Sequence, residues 1–180
     1  MAKFYSQLDE RLCEFIQQQQ LFFTATAPIE GRINLSPKGI DSFRCLDFHQ
    51  VAYLDLTGSG NETAAHLLQN GQITIMFCSF TDQPLILRLY GRGDVISPDT
   101  AQWHQLIDRF TNLPGKRQII SIQIESVQTS CGYGVPIYEL QAERSTLLDW
   151  SIEKGVDGVR AYQIKNNHTS IDGFAIGTNQ

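Results

Sequence analysis

Thr57-Gly58-Ser59-Gly60-Asn61-Glu62-Thr63 stands between a strand-like run, Val51-Ala52-Tyr53-Leu54-Asp55-Leu56, and a short helical one. A glycine-rich turn that opens a helix leaves unpaired backbone N–H groups at the positive end of the helix dipole, a seat suited to a phosphate. Ser59 and Glu62 form the Ser-x-x-Glu pattern of a capping box, which predicts the helix start at this point. Three readings of the turn compete: the G-x-G of a dinucleotide-binding fold, a plain capped turn, and a phosphate-binding turn of another kind. Asp82, after the next strand, lies about where the first would need a ribose partner. Against it, Thr63 occupies the third glycine position, two strands precede the unit, and a hairpin follows Asp82. The third reading is preferred, and the elements on either side of the turn decide the architecture.

Upstream, Leu8, Leu12, Phe15 and Ile16 form one stripe of an amphipathic helix over about Gln7 to Gln19. The period then changes to that of strands. Leu21 to Ala27 ends at Pro28, Glu30-Gly31 turns, and Arg32-Ile33-Asn34-Leu35-Ser36 follows, terminated by Pro37-Lys38-Gly39. Downstream of the turn a helix of about ten residues stops at Asn70-Gly71. Gln72 to Phe80 and Leu85 to Ser97 read as a hairpin, and Gly91 and Gly93 predict a bulge or bend. A helix is expected over Asp99 to Phe110, with Ser97 or Asp99 near its cap. Gln118 to Thr129 alternates, Ile120, Ile122 and Ile124 against Ser121, Gln123 and Glu125. A last helix is expected over Ala142 to Lys154. About six strands joined largely by tight turns, with three or four helices, predict a mainly β, α+β fold: a six-stranded antiparallel barrel with peripheral helices.

The 180 residues are expected to form one domain, 1–180, with its core at about 5–130 and a helix and tail over 131–180. A net charge of −5 argues against a general nucleic-acid binder, so an anionic ligand needs locally placed cations and amides. Cys13, Cys45, Cys78 and Cys131 are far apart in sequence and show no C-x-x-C, which favours free thiols in a reducing compartment over a disulfide framework or zinc site. The polar N-terminal run is unlike a secretory leader, and no run approaches a membrane span of about 20 apolar residues. A cytoplasmic protein is expected, with no membrane or nucleic-acid partner. His49, His66, His104 and His168 lack metal-ligand spacing, so no metal is expected, and no G-x-S-x-G elbow occurs.

Alternation puts Arg32, Asn34 and Ser36 on one face of their strand, with Lys38 just beyond: a cation, an amide and a hydroxyl able to meet a phosphate or the edge of a flavin ring. A solvent-facing polar strand face is the plainer alternative. Arg88, Tyr90 and Arg92 present a similar face that would equally suit an exposed edge or a dimer rim.

Taken in order, Asn34-Leu35-Ser36-Pro37-Lys38-Gly39, Gly60-Asn61 before a helix, and Leu87-Arg88-x-x-Gly91-Arg92-Gly93 resemble the pyridoxamine 5'-phosphate oxidase-like proteins over roughly residues 5 to 130. The resemblance implies a flavin-binding split β-barrel and a homodimer with flavin mononucleotide (FMN) at the subunit interface. It implies that Arg32, Ser36 and Lys38, with Ser59 and Asn61, hold the flavin phosphate. Asn34, Leu35, Asp55, Leu56 and Thr57 would lie along the ring edge, with Arg88 a contact from a neighbouring strand. Oxidases of this family that act on B6 vitamers carry an Arg-x-His pair near the C-terminus. Here that region reads Gly158-Val159-Arg160-Ala161-Tyr162-Gln163, so the resemblance implies a flavin-dependent oxidoreductase of unassigned substrate, with reduced nicotinamide a possible donor, rather than a B6 oxidase. No catalytic residue is assigned. A non-catalytic flavin module, a deazaflavin or haem binder, and a Rossmann-type dinucleotide binder are the alternatives. The flavin reading requires Lys38 to sit near the amides that begin the Ser59 helix.

Overall fold

A computed structural model describes residues 2–177, so Met1 and residues 178–180 of the expected domain lie outside it. The chain runs β1 (Lys3–Tyr5), α1 (Glu10–Gln17), β2 (Phe22–Thr26), β3 (Asn34–Lys38), β4 (Phe43–Cys45), β5 (Gln50–Leu56), α2 (Glu62–Asn70), β6 (Gln72–Cys78) and β7 (Ile86–Ile96). After these come α3 (Ala101–Leu106), a 3-10 turn (Ile107–Arg109), β8 (Lys116–Ser130) and α4 (Thr146–Asn166). The strands make one curled sheet in the order β3-β2-β6-β7-β8-β5-β4, with β1 added to β8. Every pairing between these strands is antiparallel. This is the expected split barrel, built from eight strands rather than six. It rules out the parallel sheet that a Rossmann unit needs.

Strand β8 is the spine. Its 15 residues pair with β7 along one edge and with β5 and β1 along the other. The curl relies on a register shift between Tyr90 and Gly91. A Cβ on Gly91 would stand 2.1 Å from the Gln123 carbonyl oxygen, so only glycine lets the two strands approach there. Inside the curl, Leu8, Leu12 and Ile16 pack with Phe22, Tyr53, Phe77 and Ile120. A second cluster, with Leu54, Ile96, Trp103, Phe110 and Ile119, covers the outer face of β5 and β8. The residues of β5 from Val51 to Asp55 are therefore buried on both faces. Ser121, on the face opposite Ile120 and Ile122 as the alternation predicts, is buried as well and accepts a hydrogen bond from Gln50 Nε2 at 3.0 Å.

Several helix boundaries move because caps outweigh periodicity. Helix α1 begins at Glu10, not Gln7, because Asp9 accepts the Leu12 N–H at 2.7 Å, leaving Leu8 to pack in the core ahead of the first turn. Thr100, rather than Ser97 or Asp99, caps α3. Gly71, at φ +70°, ends α2 as expected. Helix α4 runs past the expected Lys154 but is broken at Gly155, whose φ of 66° and ψ of 172° are non-helical. Among the described residues no helix is long and apolar enough to cross a membrane.

Candidate functional site

The register of β2 and β3 sets Asn34 opposite Thr26, Ser36 opposite Thr24 and Lys38 opposite Phe22, so these three β3 side chains lie on the inner face of the sheet. Pro37 and Lys38 continue the strand that they were expected to end, because β3 is an edge strand where a missing N–H is tolerated. The polar groups then chain together. Ser36 Oγ donates to Asn34 Oδ1 at 3.0 Å, and Asn34 Nδ2 donates to Thr63 Oγ1, in the first turn of α2, at 3.1 Å.

Asp55 forms the centre. It is 2% exposed, on the inner face of β5 beside Tyr53. One carboxylate oxygen accepts from Lys38 Nζ at 2.7 Å. The other accepts from Arg117 Nη2 at 2.7 Å, Arg117 Nε at 3.1 Å and Gln118 Nε2 at 2.9 Å. Burial by itself would raise the Asp55 pKa, but Lys38 and Arg117 outweigh it and hold the carboxyl at about 2. Two cations on one carboxylate leave one positive charge in surplus. Lys38 Nζ also lies 5.7 Å from the centre of the Tyr53 ring. The Tyr53 hydroxyl is fully buried and has no hydrogen-bond partner among the described residues, and burial pushes its pKa well above the ordinary phenol value.

This cluster reaches the glycine-rich turn directly. Gln118 Nε2 donates to Asn61 Oδ1, and Arg117 Nη1 donates to the Gly60 carbonyl, both at 2.8 Å. A single carboxylate therefore separates Lys38 from the groups that lead into α2. The expected Ser59–Glu62 capping box is absent: the cap residue is Asn61, no side chain caps the helix, and Glu62 instead accepts the Ile171 N–H at 3.1 Å. Ser59 is exposed because the turn continues two residues further before the helix starts.

Of the residues expected at the site, Asn34, Ser36, Lys38, Asp55 and Asn61 converge, and Thr57 joins them at the edge, its Oγ1 accepting from Gln163 Nε2 at 2.7 Å. The remaining ones lie elsewhere in this chain. Arg32 is exposed and pairs with Asp172, which also accepts its backbone N–H at 2.8 Å. Leu35 is 66% exposed, and the strand pairings put it on the outer face. Arg88, on the same outer face, donates to Ser130 Oγ at 3.1 Å. Leu56 packs against the second core cluster.

Sequence reasoning missed Arg117, Gln118, Gln163 and Asn167. Lys116-Arg117-Gln118 does carry a signal, two cations and an amide leading into an isoleucine-rich strand. Asn167 carried none beyond its place in a glycosylation sequon. Its Oδ1 accepts from Arg117 Nη1 at 2.8 Å, while its Nδ2 donates to the Gly58 carbonyl at 3.1 Å. A cavity of about 1050 Å3 opens beside the cluster, with Asn61, Arg117 and Gln118 on one wall and Val159, Gln163 and Asn167 of the C-terminal region on the other. It is large enough for a cofactor-sized ligand.

A curled antiparallel sheet whose inner face carries this buried charge cluster, under the start of an uncapped helix, defines a split-barrel protein with an anion-competent site. The chain belongs to the pyridoxamine 5'-phosphate oxidase family, whose model matches residues 8–131. It is 38% identical, over 97% of its length and 77% of the relative's, to the pyridoxamine 5'-phosphate oxidase family protein ustO of Aspergillus flavus. Among solved structures, HupZ of Group A Streptococcus superposes with a TM-score of 0.53 at 22% identity, over 67% of this chain and 91% of that one. A FAD-binding protein of Mesorhizobium loti gives 0.51 at 14% identity, over 72% and 99%. Both share the fold. All eleven residues expected at the site lie inside the family segment, whereas Gln163, Asn167 and Asp172 lie beyond it.

Proposed function

We propose that this protein binds FMN and acts as a cytoplasmic, homodimeric flavin-dependent oxidoreductase. The observation that carries this reading is the surplus positive charge of Lys38 and Arg117 over Asp55, set beside the uncapped start of α2, with Arg117 and Asn61 lining the cavity. The residues present suit a phosphate ester. Lys38 uses one of its three N–H donors on Asp55, and the first-turn amides of α2 have no side-chain cap. Family membership and the FAD-binding description of the Mesorhizobium loti neighbour support a flavin over other phosphate esters.

A bound FMN supplies hydride or electron transfer at its N5. This chain's residues do the rest. Lys38, Arg117 and Asn61 hold the phosphate end, Asn34 and Ser36 offer an amide and a hydroxyl to the ring edge, and α4 limits water on the cavity side. The outward Ile33 and Leu35, both exposed and apolar on or beside edge strand β3, would be covered in a dimer. Leu35 and Arg88 would then meet the partner's flavin rather than this chain's own.

The test is reconstitution. Purified protein saturated with FMN and then desalted is expected to stay yellow, quench flavin fluorescence and melt higher than the apoprotein. A colourless protein with an unchanged melting curve overturns the reading. Consumption of NADH or NADPH by the loaded protein separates an oxidoreductase from a non-catalytic flavin module, and light scattering reads the dimer.

A further inference from the structure

Helix α4 and the residues after it lie outside the segment shared with the family, yet they touch the site at its most charged point. Gln163 and Asn167 are four residues apart, so one face of the last turn of α4 meets the turn that spans Thr57 to Asn61. Gln163 holds Thr57. Asn167 does more, because every side-chain bond that it makes goes to the site. It is 3% exposed, and its two polar atoms bridge the Arg117 guanidinium and the Gly58 carbonyl. Its own carbonyl accepts from Asn61 Nδ2 at 3.5 Å.

Arg117 shows why this matters. Nε and Nη2 are committed to one oxygen of Asp55, which fixes one side of the guanidinium plane. The other end, Nη1, is held by the Gly60 carbonyl and by Asn167. Without Asn167 the cation keeps its charge and its carboxylate but loses a bond that sets its tilt, and the Gly58 carbonyl loses its donor. The backbone that presents the α2 amides and the arginine that flanks them are thus braced by the same side chain.

We propose that Asn167 is a positioning residue for the phosphate end of the ligand: it aims Arg117 and pins the glycine-rich turn, so the C-terminal helix supplies phosphate selectivity from within the same chain. This rests on the flavin reading. A role confined to the phosphate has a signature that general stabilisation lacks, because riboflavin carries the same ring without the phosphate.

The experiment uses the full chain and two variants. Asn167→Ala removes the brace, while Phe174→Ala loosens the packing of the tail against α2 without touching Arg117 or the turn. Dissociation constants for FMN and for riboflavin are read by flavin fluorescence. Melting shifts with sodium pyrophosphate give an arm free of flavin. Asn167→Ala is expected to weaken FMN about tenfold, the scale of one charge-assisted bond, and riboflavin by less than about twofold. Phe174→Ala is expected to lower the melting temperature with the FMN-to-riboflavin ratio unchanged. Equal weakening of both ligands in Asn167→Ala, no weakening of either, or the same change of ratio in Phe174→Ala overturns the proposal. If the unmodified chain binds neither flavin, the flavin reading falls and pyrophosphate decides: a shift lost in Asn167→Ala upholds the brace at an anion site, and a shift that is retained or absent from the start overturns it.

Discussion

Replacing Asp55 by Asn tests the electrostatic centre of the molecule. The carboxylate accepts four hydrogen bonds from Lys38, Arg117 and Gln118, and the Arg117 side chain is only 8% exposed. An amide cannot accept on both sides, so Asp55→Asn turns an N–H2 toward one cation and leaves two charges without a counter-ion. Removing one partner of a buried pair costs about 3–5 kcal/mol. For a chain of this size each kcal/mol moves the melting temperature by about 2–4 °C, so a fall of roughly 10 °C is expected. The proton linkage is smaller. A pKa lowered from 3.8 to about 2 corresponds to about 2 kcal/mol. Because the folded-state pKa lies below the unfolded one, that stability is present above the unfolded pKa and disappears as pH falls through about 2. The two figures differ because protonation neutralises the acid whereas the substitution also misdirects a donor. Urea unfolding followed by circular dichroism at neutral pH and across the acid range reads both effects. A variant that melts within about 2 °C of the parent, or that keeps the parent's full loss of stability between about pH 4 and 2, would refute this account of the triad.

Three further outcomes follow from the geometry. Gly91→Ala forces a Cβ to within 2.1 Å of the Gln123 carbonyl, so β7 and β8 must part at the bulge, with a loss of about 3 kcal/mol or more in chemical unfolding. Ser59→Ala is expected to change stability by less than about 0.5 kcal/mol, since the serine is exposed and caps nothing; a loss of about 1 kcal/mol would restore the capping box. Lys38→Ala is expected to weaken FMN by about 1.5–3 kcal/mol in a fluorescence titration while Arg117 continues to neutralise Asp55, and unchanged affinity would remove Lys38 from the phosphate site.

What the sequence disclosed follows the range of its signals. Strand β5 and the Asn70-Gly71 stop are short-range patterns and come out where expected. So does the bulge at Gly91. The short strands β1 and β4 were invisible because each has three residues and exists only through a partner far along the chain, β8 for one and β5 for the other. The second half of α4 was missed because Gly155 and Gly158 depress helix propensity while several apolar residues face outward, so no clean stripe marks it. At the site, alternation correctly put Asn34 and Ser36 on one face but could not say whether that face looked inward. Asp55 came from the resemblance, and its partner Arg117 lies 62 positions away, a separation that no local pattern spans.

The triad bears on function because it is a poor way to gain stability. Buried ion pairs roughly break even against apolar side chains of similar volume once desolvation is counted, and the inner face of this sheet already has an apolar core of Phe22, Tyr53, Phe77 and isoleucines. Retaining Asp55 there imposes two cations that have to be held, one on β3 and one on β8, and the chain holds them with bonds from three separate regions: β5, the glycine-rich turn and the end of α4. Such an arrangement concentrates positive potential at one point of a protein whose net charge is −5. Asp55 keeps the two cations together in the absence of ligand and stops short of neutralising them, and the remaining charge lies beside the start of α2, where no side chain caps the helix. A core built only for packing needs none of this, whereas the proposed phosphate-ester site draws on the cations and the free amides.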